Sequence, residues 1–409
     1  MKNKFLLILF AFLTLFLVSF SLRMGEKPPE KKTTGIDDSY LHLFSKERQL
    51  DSTKGYFTGF PQAVVHKGII YVTYSYHVQH QSMPGKEQDH IYYKSSKDGG
   101  KTWSNRQKLT FPKSRIKGIS FDYRSIQMVS DGNRIIGLGV VVPSDSSKIK
   151  AYSTFYCELK ANKRGKLKCV PITLMPYISQ DGNEILTALQ PGTEGRGSNI
   201  VSGNMLLYEG YLYWCYYNSA RNVQLLRWST SSGEHPEMKT IEILANIGDN
   251  NKEHRYSEVG MFREGDAIYL SVRDEHSTNS NWRYDLHTKT MTHLANTKTE
   301  AFGPNIYKIE DGPAVLTGRQ YTYLKKREQL TRMDNMILLS PQGEIIKENI
   351  GFVGHLMGGD SMYCSSVELN GVVFIFYYYG MNSSLVSPNS RYTLAYKTIK
   401  VEDLRKMAE

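Results

Sequence analysis

The chain has 409 residues, of which 40% are apolar and 12% aromatic, too many rings for a disordered segment. Only one apolar run is long enough to reach across a bilayer, which excludes a polytopic membrane protein. Its 51 Lys+Arg against 40 Asp+Glu leave a net charge of +11, which calls for an acidic partner, while four cysteines without a CxxC pair exclude a disulfide scaffold and give no zinc signal.

In chain order, Lys2 and Lys4 precede an apolar run from Phe5 to Leu22, so residues 1–22 read as a secretory signal or an amino-terminal membrane anchor. Ser19 and Ser21 offer small residues for cleavage and favour removal. In either case the remainder is expected to be exported, as a secreted or surface-anchored protein. Residues 23–48, with Pro28, Pro29, Lys31 and Lys32, read as a solvated tether. Cys157 and Cys169 flank a Lys-rich turn; they are either a disulfide staple across a hairpin or two thiols on neighbouring strands. Cys215 and Cys364 lie in apolar strand-like runs and are expected to be buried thiols.

From residue 49 to 409 there is little helical periodicity. Short runs of Val, Ile, Tyr and Phe are broken by Gly, Asn and Asp, a strand-and-hairpin pattern. Six openings of the form strand, turn, strand recur: Phe60–Tyr76, Ser125–Val142, Asn199–Tyr217, Glu258–Arg273, Pro304–Arg319 and Tyr363–Tyr379. Two further strands follow each opening, such as Ile91–Ser95 and Val223–Ser229. Four strands per unit repeated six times predict an all-β, six-bladed β-propeller over residues 49–409. A pair of sandwiches gives no reason for such a repeat.

The segment Ser96-Lys97-Asp98-Gly99-Gly100-Lys101-Thr102-Trp103 fits every position of Ser-x-Asp-x-Gly-x-Thr-Trp, the Asp-box. Its Asp and Gly make a tight turn between a blade's third and fourth strands, and its Trp is expected to plug between blades. Degenerate copies stand at Ser229–Gly233 and Ser340–Gly343. Asp98 is therefore a turn residue and not a catalytic candidate.

Propeller geometry sorts the polar residues. First-strand starts, second-strand ends and third-strand starts share one rim, opposite the Asp-box turn. That rim receives Gly59, Arg124, Arg196 to Asn199, Glu258, Asn305 and Tyr363 from first strands, and His77, Asn218, Arg273, Arg319 and Tyr379 from second strands. Asp89 and Arg332 come from third strands. One inward carboxylate, a facing tyrosine and several arginines suit an anionic sugar, because arginine grips a carboxylate through two parallel hydrogen bonds. Each arginine taken singly is equally well a strand end paired with a rim acid. Only their convergence with Glu258 and Tyr363 speaks for a site.

With those residues in view, the propeller region resembles the sialidase (neuraminidase) superfamily of six-bladed Asp-box propellers. Tyr256-Ser257-Glu258 and Ser271-Val272-Arg273 look like the family's glutamate and arginine of the fourth blade, and Tyr363-Cys364-Ser365 like its tyrosine of the sixth. Arg332 suits the family arginine of the fifth blade, with Arg319 as the alternative. Two departures stand out. Gly59-Phe60-Pro61 replaces the first-blade Arg-Ile-Pro, and no aspartate falls plainly on the acid/base position, where His77, His80 and Asp89 lie instead. These departures look more like the phage-type endosialidases than ordinary exosialidases.

The resemblance implies a glycosidase with Tyr363 as nucleophile, Glu258 as its base, and Arg273 and Arg332 clamping the substrate carboxylate with help from Arg319 or Arg124. His77, His80 or Asp89 would protonate the leaving oxygen. A phenol with a pKa of about 10 needs a base in contact to act at neutral pH. The expected partner is an acidic, sialic-acid-containing glycan. Nucleic acid is not expected without a basic helix or RNA-binding signature, and neither a metal nor another cofactor is. The rival readings are a polysaccharide lyase acting on a uronate, with a Tyr or His base, and a glycan-binding propeller without catalysis.

Overall fold

The computed structural model describes residues 36–409 except 78–89, 112–120, 144–152, 163–164, 170–172, 175–176, 179–183, 186–199, 218–221, 231–240, 249–252, 325–328, 355–360 and 382–390. Six antiparallel sheets form the blades of a β-propeller. Blade 1 runs through Phe57–His66, Ile69–His77, His90–Ser96 and Gln107–Lys108. Blade 2 has Phe121–Ser130, Ile135–Pro143 and Ser153–Ala161, and two short segments, Leu167–Cys169 and Thr173–Leu174, share its outer edge. Blade 3 comprises Ile200–Tyr208, Tyr211–Tyr217, Val223–Ser229 and Ile241–Ile247. Blade 4 comprises Tyr256–Glu264, Ala267–Asp274, Asn279–Asp285 and Thr290–Asn296. Phe302–Lys308, Ala314–Leu324, Gln329–Leu339 and Ile345–Ile350 make blade 5.

Blade 6 closes the ring. Its inner three strands, Ser365–Leu369, Val372–Met381 and Arg391–Lys400, come from the carboxyl end, and Arg48–Lys54 from the amino end pairs on their outside. Joining the two ends of the chain in one sheet means that the ring cannot open at blade 6 without breaking the backbone pairing between Arg48–Lys54 and Arg391–Lys400. The tether expected over residues 23–48 is correspondingly shorter. Asp38–Leu43 forms a 3-10 turn, Asp37 bridges to Ile350, and Phe44 is buried, so the chain is packed on the propeller from residue 36. At the other end, helix α1 (Val401–Ala408) covers blade 6 with Val401, Leu404 and Met407.

The core lies between blades, which is why the strands read as apolar on both faces. One cluster joins Leu138 and Tyr156 of blade 2 to Trp214 and Trp228 of blade 3 and Met261 of blade 4; another joins Phe57 and Tyr74 of blade 1 to Phe376 and Tyr396 of blade 6. Each fully buried aromatic contributes about 2–3 kcal/mol by removal of apolar surface from water. The many tyrosines fit this packing, since a ring fills the gap between blades while its hydroxyl finds an acceptor. Tyr74 donates to Asp51 (2.5 Å), and Tyr377 and Tyr379 both donate to Glu47 (2.7 and 2.8 Å). Hairpins between first and second strands turn on Lys67-Gly68, Glu209-Gly210 and Asn370-Gly371, each with positive φ at both residues, as a two-residue turn between twisted strands demands.

The Ser96–Trp103 segment sits between the third and fourth strands of blade 1. The Asp98 carboxylate accepts from Ser96 Oγ, Thr102 N and Thr102 Oγ1 at 2.8, 2.9 and 2.6 Å. Hydrogen bonds from the Thr102 hydroxyl and amide hold its pKa down at about 2, as for a carboxylate built into a turn. Trp103 reaches blade 6, edge-on to Phe376 and Tyr396, with its indole N–H donating to the Tyr396 hydroxyl at 3.1 Å. Ser340 Oγ accepts from Gln342 N and Glu344 N in the corresponding turn of blade 5, whereas residues 231–233 of the blade 3 copy lie outside the described residues.

Cys157 and Cys169 are buried thiols, not a disulfide. They lie on paired strands with Leu159 opposite Cys169, and burial followed by hydrogen bonding to Cys169 pushes the Cys157 pKa up. Cys215 and Cys364 are buried as well. No helix among the described residues is long and apolar enough to cross a membrane, and residues 1–22 lie outside them.

Candidate active site

Five of the six inner strands carry a β-bulge at the same height. Ladder pairing skips between Gly59 and Gln62, Tyr123 and Ser125, Ser202 and Leu206, Tyr256 and Val259, and Phe302 and Asn305. A bulge releases one or more residues from the sheet's alternation and re-aims their side chains. The released residues include Phe60, Arg124, Gly203, Glu258, Gly303 and Pro304, and all six line one pocket. Pro61 and Pro304 suit these places because a bulged residue has no ladder bond to donate. Blade 6 reaches the same point differently. Met362 takes φ 64 just before the strand begins, and Tyr363 follows it into the pocket.

The pocket is thus walled by all six blades. Its volume is about 240 Å³, near the lower end of the roughly 300–1,000 Å³ usual for small-molecule sites. At its base the Tyr363 hydroxyl donates to Glu258 Oε1 at 2.5 Å. Glu258 Oε2 accepts from Arg273 Nη1 at 2.8 Å and from the Gly303 amide at 3.1 Å. Arg319 stacks on the Tyr363 ring, 4.7 Å from its centroid, and donates through Nη2 to the Tyr363 oxygen at 3.3 Å and through Nη1 to Ser361 O at 3.1 Å. Phe60 meets the same ring edge-on at 4.9 Å.

Two effects oppose each other at Glu258. Burial disfavours its charge most strongly, but the charges of Arg273 and Arg319 and the hydrogen bond from Tyr363 overcome it, and its pKa lies below the ordinary value of 4.5. Glu258 is therefore an ionised carboxylate at neutral pH with a phenol proton directly on it. Arg273, held near Glu258, has its pKa raised despite burial, so it is a permanent cation. Its Nε is buried with no partner among the described residues, and neither does Gln127 Oε1 in the pocket wall have one. The arrangement places a phenol and a base in contact with it in the wall of one small cavity, together with Arg124 and Gln127, while Arg273 and Arg319 hold Glu258 and Tyr363 from outside its described lining.

The other expected residues fall in different places. Arg124 is buried in the pocket wall, on its bulge. Arg332 stacks over Tyr321, 5.5 Å from the ring centroid, opposite Tyr321 in the ladder, while Arg319 pairs with Asp334 two steps along. Of the two fifth-blade arginines, the alternative Arg319 thus meets Tyr363, and the favoured Arg332 meets Tyr321 farther along a hairpin that extends to Leu324. His77 is buried at the end of its strand, edge-on to Phe57 at 6.0 Å, and is not among the described residues lining the pocket. Asp89 and His80 lie outside the described residues, as do Arg196 to Asn199 and Asn218.

Three contributors escaped sequence reasoning: the Gly303 amide on Glu258, Gln127, and Gly203. A signal for the first existed. Gly59-Phe60-Pro61 and Phe302-Gly303-Pro304 place a proline at the same point of two repeats, with a glycine one or two residues before it. At Gly203, φ is +70 and an added Cβ would stand 1.5 Å from Val259 O, so only glycine lets blades 3 and 4 approach here.

Solved structures share this architecture. A Dyadobacter fermentans protein of unknown function is 13% identical, with a TM-score of 0.62, over 87% of this chain and 99% of its own. Trypanosoma rangeli sialidase in complex with the inhibitor DANA is 12% identical, with a TM-score of 0.56, over 90% of this chain and 60% of its own. The phage phi92 endosialidase is 11% identical, with a TM-score of 0.53, over 86% and 69%. The fold is that of the sialidase propellers. This chain spans only about three fifths of the trypanosomal enzyme. No protein-family model matches the chain, and no curated protein sequence does.

Proposed function

We propose that this sialidase-like propeller is a glycoside hydrolase acting on an acidic, sialic-acid-containing glycan. The observation that carries the reading is the 2.5 Å hydrogen bond from the Tyr363 hydroxyl to a Glu258 carboxylate that stays ionised, with Arg273 and Arg319 on either side. A sialic acid bears a carboxylate on its reacting carbon, so a neutral phenol approaches more easily than a second carboxylate would. Glu258 takes the phenol proton as the oxygen attacks, which compensates for a free-phenol pKa of about 10. Arg273 and Arg319, which hold Glu258 and Tyr363, are assigned to the substrate carboxylate. Arg124 stands on the wall where it reaches an anionic ring from blade 2. Phe60 replaces a further arginine with an aromatic face, so the clamp has two cations where the resemblance leads one to expect three.

The acid that protonates the leaving oxygen is assigned to Asp89 or His80 in preference to the buried His77. The net charge of +11 favours encounter with a polyanionic substrate. We assign the protein to an exported location, secreted or anchored by its amino-terminal apolar run. The test is direct. Purified protein incubated with a fluorogenic sialoside and with polysialic acid should release sialic acid or shorten the polymer, and Tyr363→Phe should do neither. Absence of product from both substrates with the native chain would overturn the proposal; new ultraviolet absorbance on a uronate polymer would point to a lyase in its place.

A further inference from the structure

The Lys-rich turn between Cys157 and Cys169 takes no part in the central pocket. Residues 159–169 hold five Lys or Arg and no Asp or Glu. They belong to a hairpin at the outer edge of blade 2, with Lys160 directly opposite Lys168 in the ladder. Leu159, Leu167 and Cys169 are buried on one face, so strand alternation sends Lys160, Lys166 and Lys168 to the other, where all three are exposed. Asn162 shapes the turn: its backbone N–H donates to Lys166 O at 3.0 Å, and its Oδ1 accepts from Lys166 N at 2.9 Å. This turn meets the Ser96–Trp103 turn of blade 1. A Cβ at Gly165 would stand 3.1 Å from Lys97 Cε and 3.8 Å from its Nζ, and Lys101 is exposed on the same turn as Lys97. The acids beside these turns are already engaged, Asp98 by Ser96 and Thr102, and Asp131 and Glu158 by Arg134.

We propose that these two turns form a basic surface that docks the protein on the anionic headgroups of a phospholipid bilayer. Like charges directly opposite on paired strands destabilise a sheet, so the Lys160–Lys168 pair costs the free protein stability that a shared anion restores. A bilayer supplies phosphate charge over an area wide enough for both turns, and each Lys or Arg near an anionic surface strengthens attachment about fivefold. Position selects this partner over the acidic glycan. Both turns join a third strand to the strand outside it, and so lie on the rim away from Glu258 and Tyr363, where a bound sugar cannot pass into the pocket. A protein resting on this surface keeps its pocket turned away from the bilayer, toward glycans beyond it. The apolar run Phe5–Leu22, read as a signal or an anchor, brings the chain to such a membrane. Docking is independent of whether the central pocket hydrolyses a sialoside.

Vesicles test the surface. The full chain is sedimented with vesicles of phosphatidylcholine alone and with vesicles that also contain phosphatidylglycerol, so that any contribution of the apolar run is common to both. The native chain should bind the anionic vesicles at least about a hundredfold more tightly, and high salt should erase the difference. Lys160→Gln/Lys166→Gln/Lys168→Gln should lower that preference about a hundredfold, roughly fivefold per lysine, while its Tm holds or rises as like charges are removed. Lys97→Gln/Lys101→Gln, on the other turn, should lower it about twenty-five-fold and decides the matter should the triple variant fail to fold. Lys54→Gln/Lys298→Gln, which removes the same charge at the opposite ends of blades, should leave it unchanged. Equal binding to both kinds of vesicle, or a preference indifferent to the turn lysines, would overturn the docking surface. Binding of polysialic acid through the same lysines without binding of anionic vesicles would overturn it too and assign the surface to a glycan. Cleavage of a fluorogenic sialoside should be equal in all variants, so its absence counts against Tyr363 and Glu258 and not against these lysines.

Discussion

Replacing Arg273 by alanine strands the Glu258 carboxylate. The two side chains are 16% and 10% exposed, so water screens their contact little. Removing one partner of such a pair costs about 3–5 kcal/mol, mostly because the remaining charge stays desolvated. Arg319 still faces Glu258, which places the expected loss near the lower figure, about 3 kcal/mol. Loss of the Arg273 contact over Phe302, 4.6 Å from the ring centroid, adds to it. The pH dependence discriminates between causes. In the native protein the Glu258 pKa is below its unfolded value of 4.5, so the contribution is complete above pH 4.5 and disappears as pH falls through the lower, folded value. In Arg273→Ala, burial dominates and raises the pKa, so the penalty grows with pH and acidification relieves it. Urea unfolding at several pH values between 4 and 8, with Glu258→Gln and the double variant, completes the cycle. The gap between native and Arg273→Ala should narrow toward pH 4, and Glu258→Gln should recover about 2 kcal/mol in the alanine background. A gap independent of pH, or no recovery, would refute the ion-pair account.

Tyr363→Phe should lower turnover at least about a thousandfold, as for loss of a nucleophile, while thermal melting moves little because Glu258 keeps Arg273 and Gly303; comparable turnover by the variant contradicts the assignment. Gly203→Ala should cost more than about 4 kcal/mol or prevent folding, since the new Cβ meets Val259 O; a melting curve like that of the native protein contradicts the close approach of blades 3 and 4. All four cysteines should resist a thiol reagent in the native protein and react once denatured, and a reductant should leave Tm unchanged; two reactive thiols in denaturant would mean that Cys157 and Cys169 are bonded after all.

The fold was legible because the propeller repeats itself. Six strand–turn–strand openings and one complete Ser96–Trp103 turn state the architecture locally, and hairpins such as Lys67-Gly68 depend on residues that are neighbours in sequence. Position on the rim follows from order within a blade, so Glu258, Tyr363 and Arg273 were visible as candidates. Details that depend on more than one blade were less so. The choice between Arg319 and Arg332 turned on where each falls along a hairpin that extends to Leu324, which neither residue's neighbours reveal. His77 followed the right order but is buried against Phe57.

Sequence alone determined the number of blades and the residues that turn between strands, since each is written in a pattern that recurs or in adjacent residues, and it offered Glu258, Arg273 and Tyr363 as candidates for one rim. Only tertiary structure decided that a carboxylate and a phenol 105 residues apart share a proton at 2.5 Å. Bulges at one height on five inner strands aim side chains toward a common axis, and the balance of burial against two guanidinium charges keeps Glu258 ionised. Those are sums over several blades, and no single stretch of chain contains them.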